Sequence, residues 1–347
     1  MMRFRLPACL VFLVVLMLCI AAAPVAAAEL QRLHGRTMGT TWSVLADLSP
    51  EHATGVLQRG IQAELDRVDG QMSTYKPDSD LSRFNRAPAG SWQQLPPEFF
   101  TVLRHALQLA KDSDGAYDPT VGPLVNLWGF GPDQRPRQPP TAQAIAAAQA
   151  RVGWWKLQVD PATRRVRQPG GVYLDLSAVA KGYGVDQVAR YLQRMGVQAY
   201  LVEVGGELRA HGRKPDGSVW RVGIERPDAA AGAVVDADEL IDTVALDEHA
   251  IATSGDYRHV FEDGGRYYSH HIDPRSGYPV PHEVASVSVL ADDCMQADPL
   301  GTTLSVMGAD KGMAYARTHG LAVLMIVRTA GGFVQRMSPV FAAVVRR

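Results

Sequence analysis

Apolar residues recur at helical spacing in several stretches of the chain. Between residues 51 and 73 they fall every three or four positions, which is the period of one helix face. Related patterns predict four more helices, one of which begins with a proline that a first turn tolerates. These helices are predicted over residues 97–112, 141–151, 177–195 and 294–307.

Alternating apolar and polar residues predict strands, most of them between residues 200 and 271. Glycine, proline and aspartate turns break this stretch into short segments. Because these strands do not alternate regularly with helices, the pattern favours an α+β fold with a mainly antiparallel sheet over a doubly wound parallel sheet. The proline-rich stretch 130–140 is interpreted as an internal loop. Further strands are predicted within 33–46, near 154–159 and 172–176, and over 283–290 and 321–327.

The first 28 residues have the pattern of a secretory signal. Arg3 and Arg5 precede a continuous apolar run from residue 10 to residue 20, and three alanines stand directly before Glu29. We therefore predict a signal peptide over 1–28 and one domain over 29–347, exported to the periplasm. A retained anchor at the inner membrane is the alternative, because the uncharged segment could nearly span a bilayer.

Composition excludes some classes of function. The chain has 347 residues, 46% of them hydrophobic and 20% charged, and its formal net charge is -1, so nothing indicates a nucleic-acid-binding surface. Of three cysteines, only Cys294 lies beyond the predicted signal peptide. One cysteine cannot form an internal disulfide, and a typical zinc-finger cluster needs at least two thiolates.

Familiar nucleotide-binding and hydrolase motifs are missing from the sequence, but polar segments that contain glycine are frequent. The pair Met38-Gly39 is interpreted either as a strand with a glycine kink or as part of a ligand site. Tyr75 stands where a helix stops and could stack on an aromatic ligand. Asp118 either begins a turn before Pro119 or accepts hydrogen bonds from the N–H edge of a base or flavin ring.

A strand-to-helix transition near residue 176 has the features of an anion site. A strand ends at Asp175, and Ser177 is a good N-cap for the helix that follows. Free N–H groups at a helix start favour an anion such as a pyrophosphate, which Lys181 could reach from one turn further on. The alternative is that Lys181 is a solvated surface residue. The later segment 204–207, with two glycines, is interpreted as a bulge or turn between strands.

Two C-terminal segments carry residues suited to proton transfer and metal binding. His270 and His271 are adjacent on a predicted strand, so at most one of them can face a given site; histidine suits proton abstraction near neutral pH. Asp298 and Thr302 share one face of a helix, and a carboxylate with a hydroxyl suits Mg2+, which keeps water and phosphate ligands. Alternatively, Asp298 caps a helix that starts at Pro299.

Taken together, these segments resemble the ApbE family, the FAD:protein FMN transferases. Eight motifs occur in the order that the family has, and they cover essentially all of the chain after the predicted signal peptide. The motifs are MGTTW, MSTYKPDSDLSRFN, AYDPTVGPLVNLWGFG, LDLSAVAKGYGVD, YLVEVGGELRAHG, IATSGDYR, HHIDPRSGYP and MQADPLGTTLSVMG.

The resemblance implies an α+β fold often called T-fold-like, with FAD bound as substrate in a cleft. It implies that Mg2+ is held by the Ala178 backbone carbonyl, Asp298 and Thr302, and that His270 is the base for the acceptor hydroxyl. The residues implied to contact FAD are Met38, Tyr75, Ala116, Tyr117, Asp118, Asp175, Lys181 and Ile272.

The resemblance also implies a reaction and a class of partner. FMN would be transferred from FAD to a threonine or serine hydroxyl of an acceptor protein through a phosphoester bond, with release of AMP. The implied acceptors are subunits of redox-driven membrane complexes, such as sodium-pumping quinone reductases.

Other interpretations of the same residues stay open. A periplasmic FAD pyrophosphatase would use the same magnesium site, with water in place of the acceptor hydroxyl, and would give FMN and AMP. A non-catalytic flavin-binding protein would retain FAD tightly and release no AMP. A structural exported domain without a ligand is disfavoured by the clustered polar segments that contain glycine.

Overall fold

The structure is a computed structural model that describes residues 30–49, 51–133, 135–227, 240–256 and 260–345. The predicted signal peptide lies outside these ranges. Within them, no helix is both long enough and apolar enough to cross a membrane.

Strands and helices follow one another irregularly along the described chain. The strands are β1 (Gln31–Thr37), β2 (Thr40–Ala46), β3 (Trp92–Gln94), β4 (Gln158–Asp160), β5 (Arg165–Arg167), β6 (Tyr200–Val204), β7 (Glu207–His211), β8 (Trp220–Glu225), β9 (Leu240–Leu246), β10 (Ala250–Gly255), β11 (Val260–Asp263), β12 (Arg266–Ser269), β13 (Val284–Ala291), β14 (Ala322–Thr329) and β15 (Gly332–Met337). The helices are α1 (Thr54–Met72), α2 (Asp80–Asn85), α3 (Pro97–Asp112), α4 (Gly122–Leu127), α5 (Ala142–Gln149), α6 (Ser177–Arg194), α7 (Cys294–Met307), α8 (Ala309–Thr318) and α9 (Pro339–Val345).

The fold is built around an eight-stranded sheet with the order β1-β2-β6-β7-β10-β13-β14-β15. Every neighbouring pair in this sheet is antiparallel. Because the sheet is antiparallel and helices do not alternate regularly with strands, the predicted α+β class is confirmed. Strand β13 is buried over nearly its whole length, because helices α6, α7 and α8 lie on one side of the sheet while β8, β9 and α9 lie on the other.

Two apolar cores meet along α6. Its C-terminal half, with Val188 and Leu192, packs against α1, α7 and the large sheet. Its N-terminal half, with Val179 and Tyr183, packs instead in a second core with α2, α3 and the small sheet β3-β5-β4. Full burial of a side chain such as Leu192 stabilises the fold by about 1.5–3 kcal/mol. Both halves of α6 are therefore firmly held, and the two cores meet between Tyr183 and Val185 of this helix.

The five predicted helices are present, and α3 and α7 have the predicted bounds. Two strand predictions are wrong, and the one near 154–159 is wrong in part, because Trp154–Lys156 form a short 3-10 helix and the strand there is β4. Residues 33–46 belong to two strands rather than one, because Met38 and Gly39 adopt φ values of 46° and 73° and form a tight hairpin turn between β1 and β2. Residues 172–176 form no strand beyond a single bridge from Tyr173 to Val121.

Candidate active site

Helices α6 and α7 cross at very short range, and this crossing brings the predicted metal and anion residues together. A Cβ atom built on Gly182 would lie 2.3 Å from the Cys294 carbonyl oxygen and 2.9 Å from Asp298 Cβ, so only glycine fits. The Gly182 amide donates a hydrogen bond of 3.0 Å to Asp298 Oδ2. Ala178 precedes Gly182 by one turn on the same face of α6, so it lies on the side that faces α7.

Asp298 lies inside α7 rather than at its start. The N-cap is Asp293, whose side chain accepts a hydrogen bond from the Gln296 amide at 2.9 Å. The interpretation of Asp298 as a cap before Pro299 is therefore wrong. Asp298 is 3% exposed, and burial raises the pKa of its carboxyl group, although Lys181 partly offsets this effect.

Thr302 follows one turn after Asp298 and is partly exposed. Its hydroxyl lies 3.5 Å from the Ser254 hydroxyl on β10. The neighbouring Gly301 presses against β10 and β13, since a Cβ built there would lie 2.6 Å from Ser254 Oγ. This contact orients the Asp298–Thr302 face of α7 relative to the sheet.

The Lys181 ammonium lies between two buried carboxylates. Its Nζ is 2.5 Å from Glu207 Oε1, at the start of β7, and 3.8 Å from Asp298 Oδ1. Burial lowers the pKa of Lys181, but Asp298 and Glu207 more than offset this and raise it, so the ammonium stays charged. The side chain is 30% exposed. Lys181 is thus a paired residue that reaches solvent at one side, and the solvated-surface alternative is wrong.

A buried carboxylate on α6 holds the start of α7 in place. Asp186 accepts hydrogen bonds from the amides of Cys294 at 3.1 Å and Met295 at 2.9 Å. It also pairs with Arg209 on β7 at 2.5 Å. Burial raises the pKa of the Asp186 carboxyl group, and Arg209 counteracts this effect. Asp186 therefore joins α6, α7 and β7, and it lies one helical turn after Gly182, the residue that contacts Asp298.

Replacing Asp186 by alanine should lower the free energy of unfolding by about 3–5 kcal/mol, because Arg209 and two helix-start amides would lose their buried partner. Urea unfolding followed by circular dichroism would measure this change. Asp310, whose carboxylate pairs with Arg336 at the surface, is the control, and its replacement by alanine should cost about 0.5 kcal/mol or less. Equal stability of the two variants would contradict the role of Asp186.

The start of α6 differs from the predicted cap. Leu176 occupies the N-cap position, and the amide of Ser177 donates a hydrogen bond of 2.9 Å to Asp175 Oδ1. The Asp175 amide in turn donates to the Pro119 carbonyl at 2.8 Å. Asp175, rather than Ser177, therefore supplies the polar side chain at this helix start, and it ties the start to the segment after Asp118.

Residues 116–118 are buried beside α6. The Asp118 carboxylate accepts hydrogen bonds from the Thr120 amide and hydroxyl, at 2.8 and 2.7 Å, and from the Trp154 amide at 3.0 Å. This pattern bears out its interpretation as a turn residue. The Tyr117 hydroxyl is buried without a hydrogen-bond partner among the described residues. Burial raises the pKa of Tyr117 well above its usual value, and nearby carboxylates, Asp298 first among them, raise it further. Ala116 is fully enclosed.

Met38 and Ile272, which the family resemblance implies to contact FAD, differ in their packing and exposure. Met38, in the hairpin turn, contacts both cores, and its Cε would lie 3.1 Å from a Cβ built on Gly184 of α6. The Ile272 side chain is buried in a separate apolar cluster with Leu124 and Trp128. Ile272 thus presents little side-chain surface to a ligand, while Met38 is partly exposed next to α6.

His270 and His271 lie just beyond the end of β12, which stops at Ser269. The alternation expected on a strand therefore does not apply, and the prediction of opposite faces is wrong: the ring centroids are 4.3 Å apart. His271 is buried, and burial lowers its pKa well below the usual value, with a further contribution from His270. His270 is partly exposed, which makes it the histidine that a substrate can reach.

Aromatic residues connect His270 to the exposed Tyr75. The Phe130 ring lies 6.4 Å from the His270 ring, and the Tyr75 hydroxyl donates a hydrogen bond of 3.5 Å to the Phe130 carbonyl. Tyr75 follows the C-terminus of α1 and is 67% exposed. An accessible aromatic ring at this position can stack on a planar ligand.

Among the described residues, no group of three or more histidine, cysteine, aspartate or glutamate side chains could hold a metal ion. Asp298 and Thr302 instead offer few hard oxygen ligands, which is the pattern of an ion that takes the rest of its shell from water and ligand phosphates.

The sequence did not single out Glu207, Asp186 or Gly182 as residues of the site. Glu207 follows a glycine pair with φ values of 62° and 104°, so the turn interpretation of this segment is confirmed. The available signal for Asp186 was a charged residue among the apolar positions of α6. Tyr257 and Arg258, which end the motif IATSGDYR, lie outside the described residues.

Comparison with known proteins places these features in a family. The model of the ApbE family matches residues 38–325. The chain belongs to the ApbE family. An FAD:protein FMN transferase of Haemophilus influenzae is 44% identical over 316 residues, which cover 89% of this chain and 90% of that protein.

Solved structures of ApbE proteins have the same fold. The apo form of the flavinyl transferase ApbE of Pseudomonas stutzeri is 42% identical, with a TM-score of 0.83, and the match covers 92% of this chain and 98% of that one. The flavin transferase ApbE of Vibrio cholerae is also 42% identical, with a TM-score of 0.82 and coverage of 91% and 99%. The family resemblance and the implied fold are thereby confirmed.

Proposed function

We propose that this protein transfers the FMN moiety of FAD to a threonine or serine hydroxyl of an acceptor protein and releases AMP. The observation that carries the proposal is the α6–α7 crossing, which places Lys181, Asp298 and Thr302 in one partly open cluster. The relatives named FAD:protein FMN transferase support the choice of substrate.

Lys181 provides the positive charge that an FAD pyrophosphate needs. An ammonium group has three donors, and the contact with Glu207 uses one of them. The partly exposed side of Lys181 can therefore donate to a phosphate oxygen while the ion pair persists. Tyr75 offers an exposed ring for the flavin or adenine.

The residues present also fit Mg2+. Asp298 Oδ1, the Thr302 hydroxyl and the Ala178 carbonyl would hold the ion. In a regular helix the Ala178 carbonyl would accept from the Gly182 amide, but this amide donates to Asp298, so the carbonyl has at most a shared hydrogen bond. When bound, Mg2+ would neutralise the pyrophosphate and stabilise the AMP leaving group.

His270 would act on the acceptor. One of its ring nitrogens takes the proton of the hydroxyl as the hydroxyl oxygen attacks the FMN phosphorus. A new P–O bond then joins FMN to the acceptor, the bond to the AMP phosphate breaks, and AMP leaves with the electron pair. The buried, neutral His271 beside it adds no positive charge that would oppose proton uptake.

The proposed setting is the periplasm, at or near the inner membrane. The N-terminal signal pattern supports export, and the family resemblance supports acceptor subunits of redox-driven membrane complexes.

We expect purified protein with FAD and Mg2+ to release AMP only when an acceptor domain with the target threonine is present, and to leave FMN covalently bound to that acceptor. Liquid chromatography would follow AMP, and mass spectrometry would follow the acceptor. An acceptor with the threonine changed to valine is the control. AMP release without an acceptor would identify a pyrophosphatase, and retained FAD without AMP under all conditions would identify a binding protein.

A further inference from the structure

Glu207 is a buried carboxylate that the proposed reaction does not use. It begins β7, directly after the Gly205–Gly206 turn, and is 3% exposed. Its Oε1 pairs with the Lys181 ammonium at 2.5 Å, whereas its Oε2 is buried without a hydrogen-bond partner among the described residues. Half of the carboxylate is therefore engaged, and the cation that it pairs with is Lys181.

Stability of the fold does not account for this residue. Taking a carboxylate out of water costs several kcal/mol, and an apolar residue of similar size is often at least as stabilising as a buried ion pair. One oxygen of Glu207 also has no hydrogen-bond partner among the described residues, which adds to this cost. The role of Glu207 is therefore explained by its effect on the Lys181 side chain rather than by a contribution to the stability of the fold.

The surroundings of Lys181 show what Glu207 prevents. Asp298 Oδ1 lies 3.8 Å from the ammonium, beyond hydrogen-bond range but within reach of a small rotation of the flexible lysine stem. Without Glu207, Asp298 would be the nearest carboxylate among the described residues that pair with Lys181. Lys181 would then bind the oxygen that the proposed metal site requires.

The turn that precedes Glu207 packs against the Lys181 side chain. A Cβ built on Gly205 would lie 3.3 Å from Lys181 Cδ and 2.9 Å from Thr40 Cγ2. The Gly205–Gly206 turn therefore packs on the lysine stem, and the next residue supplies the carboxylate for its end. The stem and the head of Lys181 are thus fixed by the same short segment.

We propose that Glu207 is a positioning residue, which holds the Lys181 ammonium toward the pyrophosphate of bound FAD and away from Asp298. This role rests on the proposed function, because it presumes that FAD is the ligand of Lys181. Glu207 does not contact the reacting atoms. Its effect on FAD binding passes entirely through Lys181.

The test is a double-mutant cycle on FAD affinity, measured by flavin fluorescence with Mg2+ present and no acceptor. Glu207→Ala should weaken FAD binding about tenfold, as expected for a lost charge-assisted contact. Glu207→Gln keeps an acceptor for the ammonium and should stay within about threefold of the unmodified protein. In a Lys181→Met background, Glu207→Ala should change the affinity less than about twofold.

Glu64→Ala is the matched control, because Glu64 is a buried glutamate that pairs with Arg194 and Arg67 outside the site. It should lower the melting temperature without changing FAD affinity. A tenfold loss from Glu207→Ala that persists in the Lys181→Met background, or no loss at all, would overturn the positioning role. If the unmodified protein binds FAD and transfers FMN in either case, the proposed function survives; if it binds no FAD, both proposals fail.

Discussion

Replacing His270 by glutamine is expected to slow FMN transfer by about 10²–10⁴-fold while FAD binding changes little. The factor is the usual contribution of a general base. Glutamine has a similar reach and can hydrogen bond, but it cannot take the proton of the acceptor hydroxyl. The His270 ring lies next to Phe130 and His271, and His270 is not one of the residues proposed to hold the pyrophosphate, so FAD binding should be largely retained.

Single-turnover transfer to an acceptor domain, with FAD affinity measured in parallel, would separate these effects. His319→Gln is a suitable control, since His319 is an exposed histidine next to Tyr315 at the end of α8. Its transfer rate should match that of the unmodified protein. If His270→Gln also transfers FMN at the normal rate, another group accepts the proton.

Replacing Asp298 by asparagine should lower Mg2+-dependent transfer by about 10²–10³-fold, a typical loss when an electrostatic contact to the reacting group is removed. Asparagine can still accept the hydrogen bond from the Gly182 amide, so the α6–α7 crossing should persist. The negative charge is lost, however, and with it the only acidic side chain of the proposed metal set. Raising the Mg2+ concentration should recover part of the rate.

Transfer rates measured over a range of Mg2+ concentrations would test this expectation. Asp247→Asn is the control, because Asp247 pairs with Arg213 where both side chains are exposed. Its Mg2+ dependence should be unchanged. An Asp298→Asn protein with the normal rate and the normal Mg2+ dependence would remove Asp298 from the metal site.

The sequence predicted the helices well because their signals are local. The bounds of α3 follow from Pro97 in the first turn and a regular apolar face. The strand prediction over 33–46 failed because the backbone conformation at Met38-Gly39 divides this stretch into two strands. Met38 is not a residue that usually adopts a positive φ, so the hairpin turn at Met38-Gly39 was read as a kink.

The sequence predicted those site residues whose role follows from their residue type and local spacing. Lys181, Asp298 and Thr302 were found from residue type and spacing, and the structure brings them together. Glu207 and Asp186 were missed because their meaning depends on partners that are distant in sequence. Arg209 and the start of α7 give Asp186 its role, and no local pattern reveals such contacts.

The two histidines show the same limit on a smaller scale. Strand alternation would place the two histidines on opposite faces only if β12 continued through His271, but β12 ends at Ser269. His271 is buried, whereas His270 is partly exposed. This difference in burial is a tertiary effect, which two adjacent histidines in a sequence do not indicate.

The α6–α7 crossing joins two residues, Gly182 and Asp298, that are 116 positions apart in the chain. No fragment that ends before α7 can contain the complete site, and contacts between such distant segments form late because their loop must first close. Flavin binding should therefore report on completed folding rather than on the presence of individual segments. A nascent or truncated chain would be unable to capture FAD, which confines flavin capture to molecules that have reached their final topology.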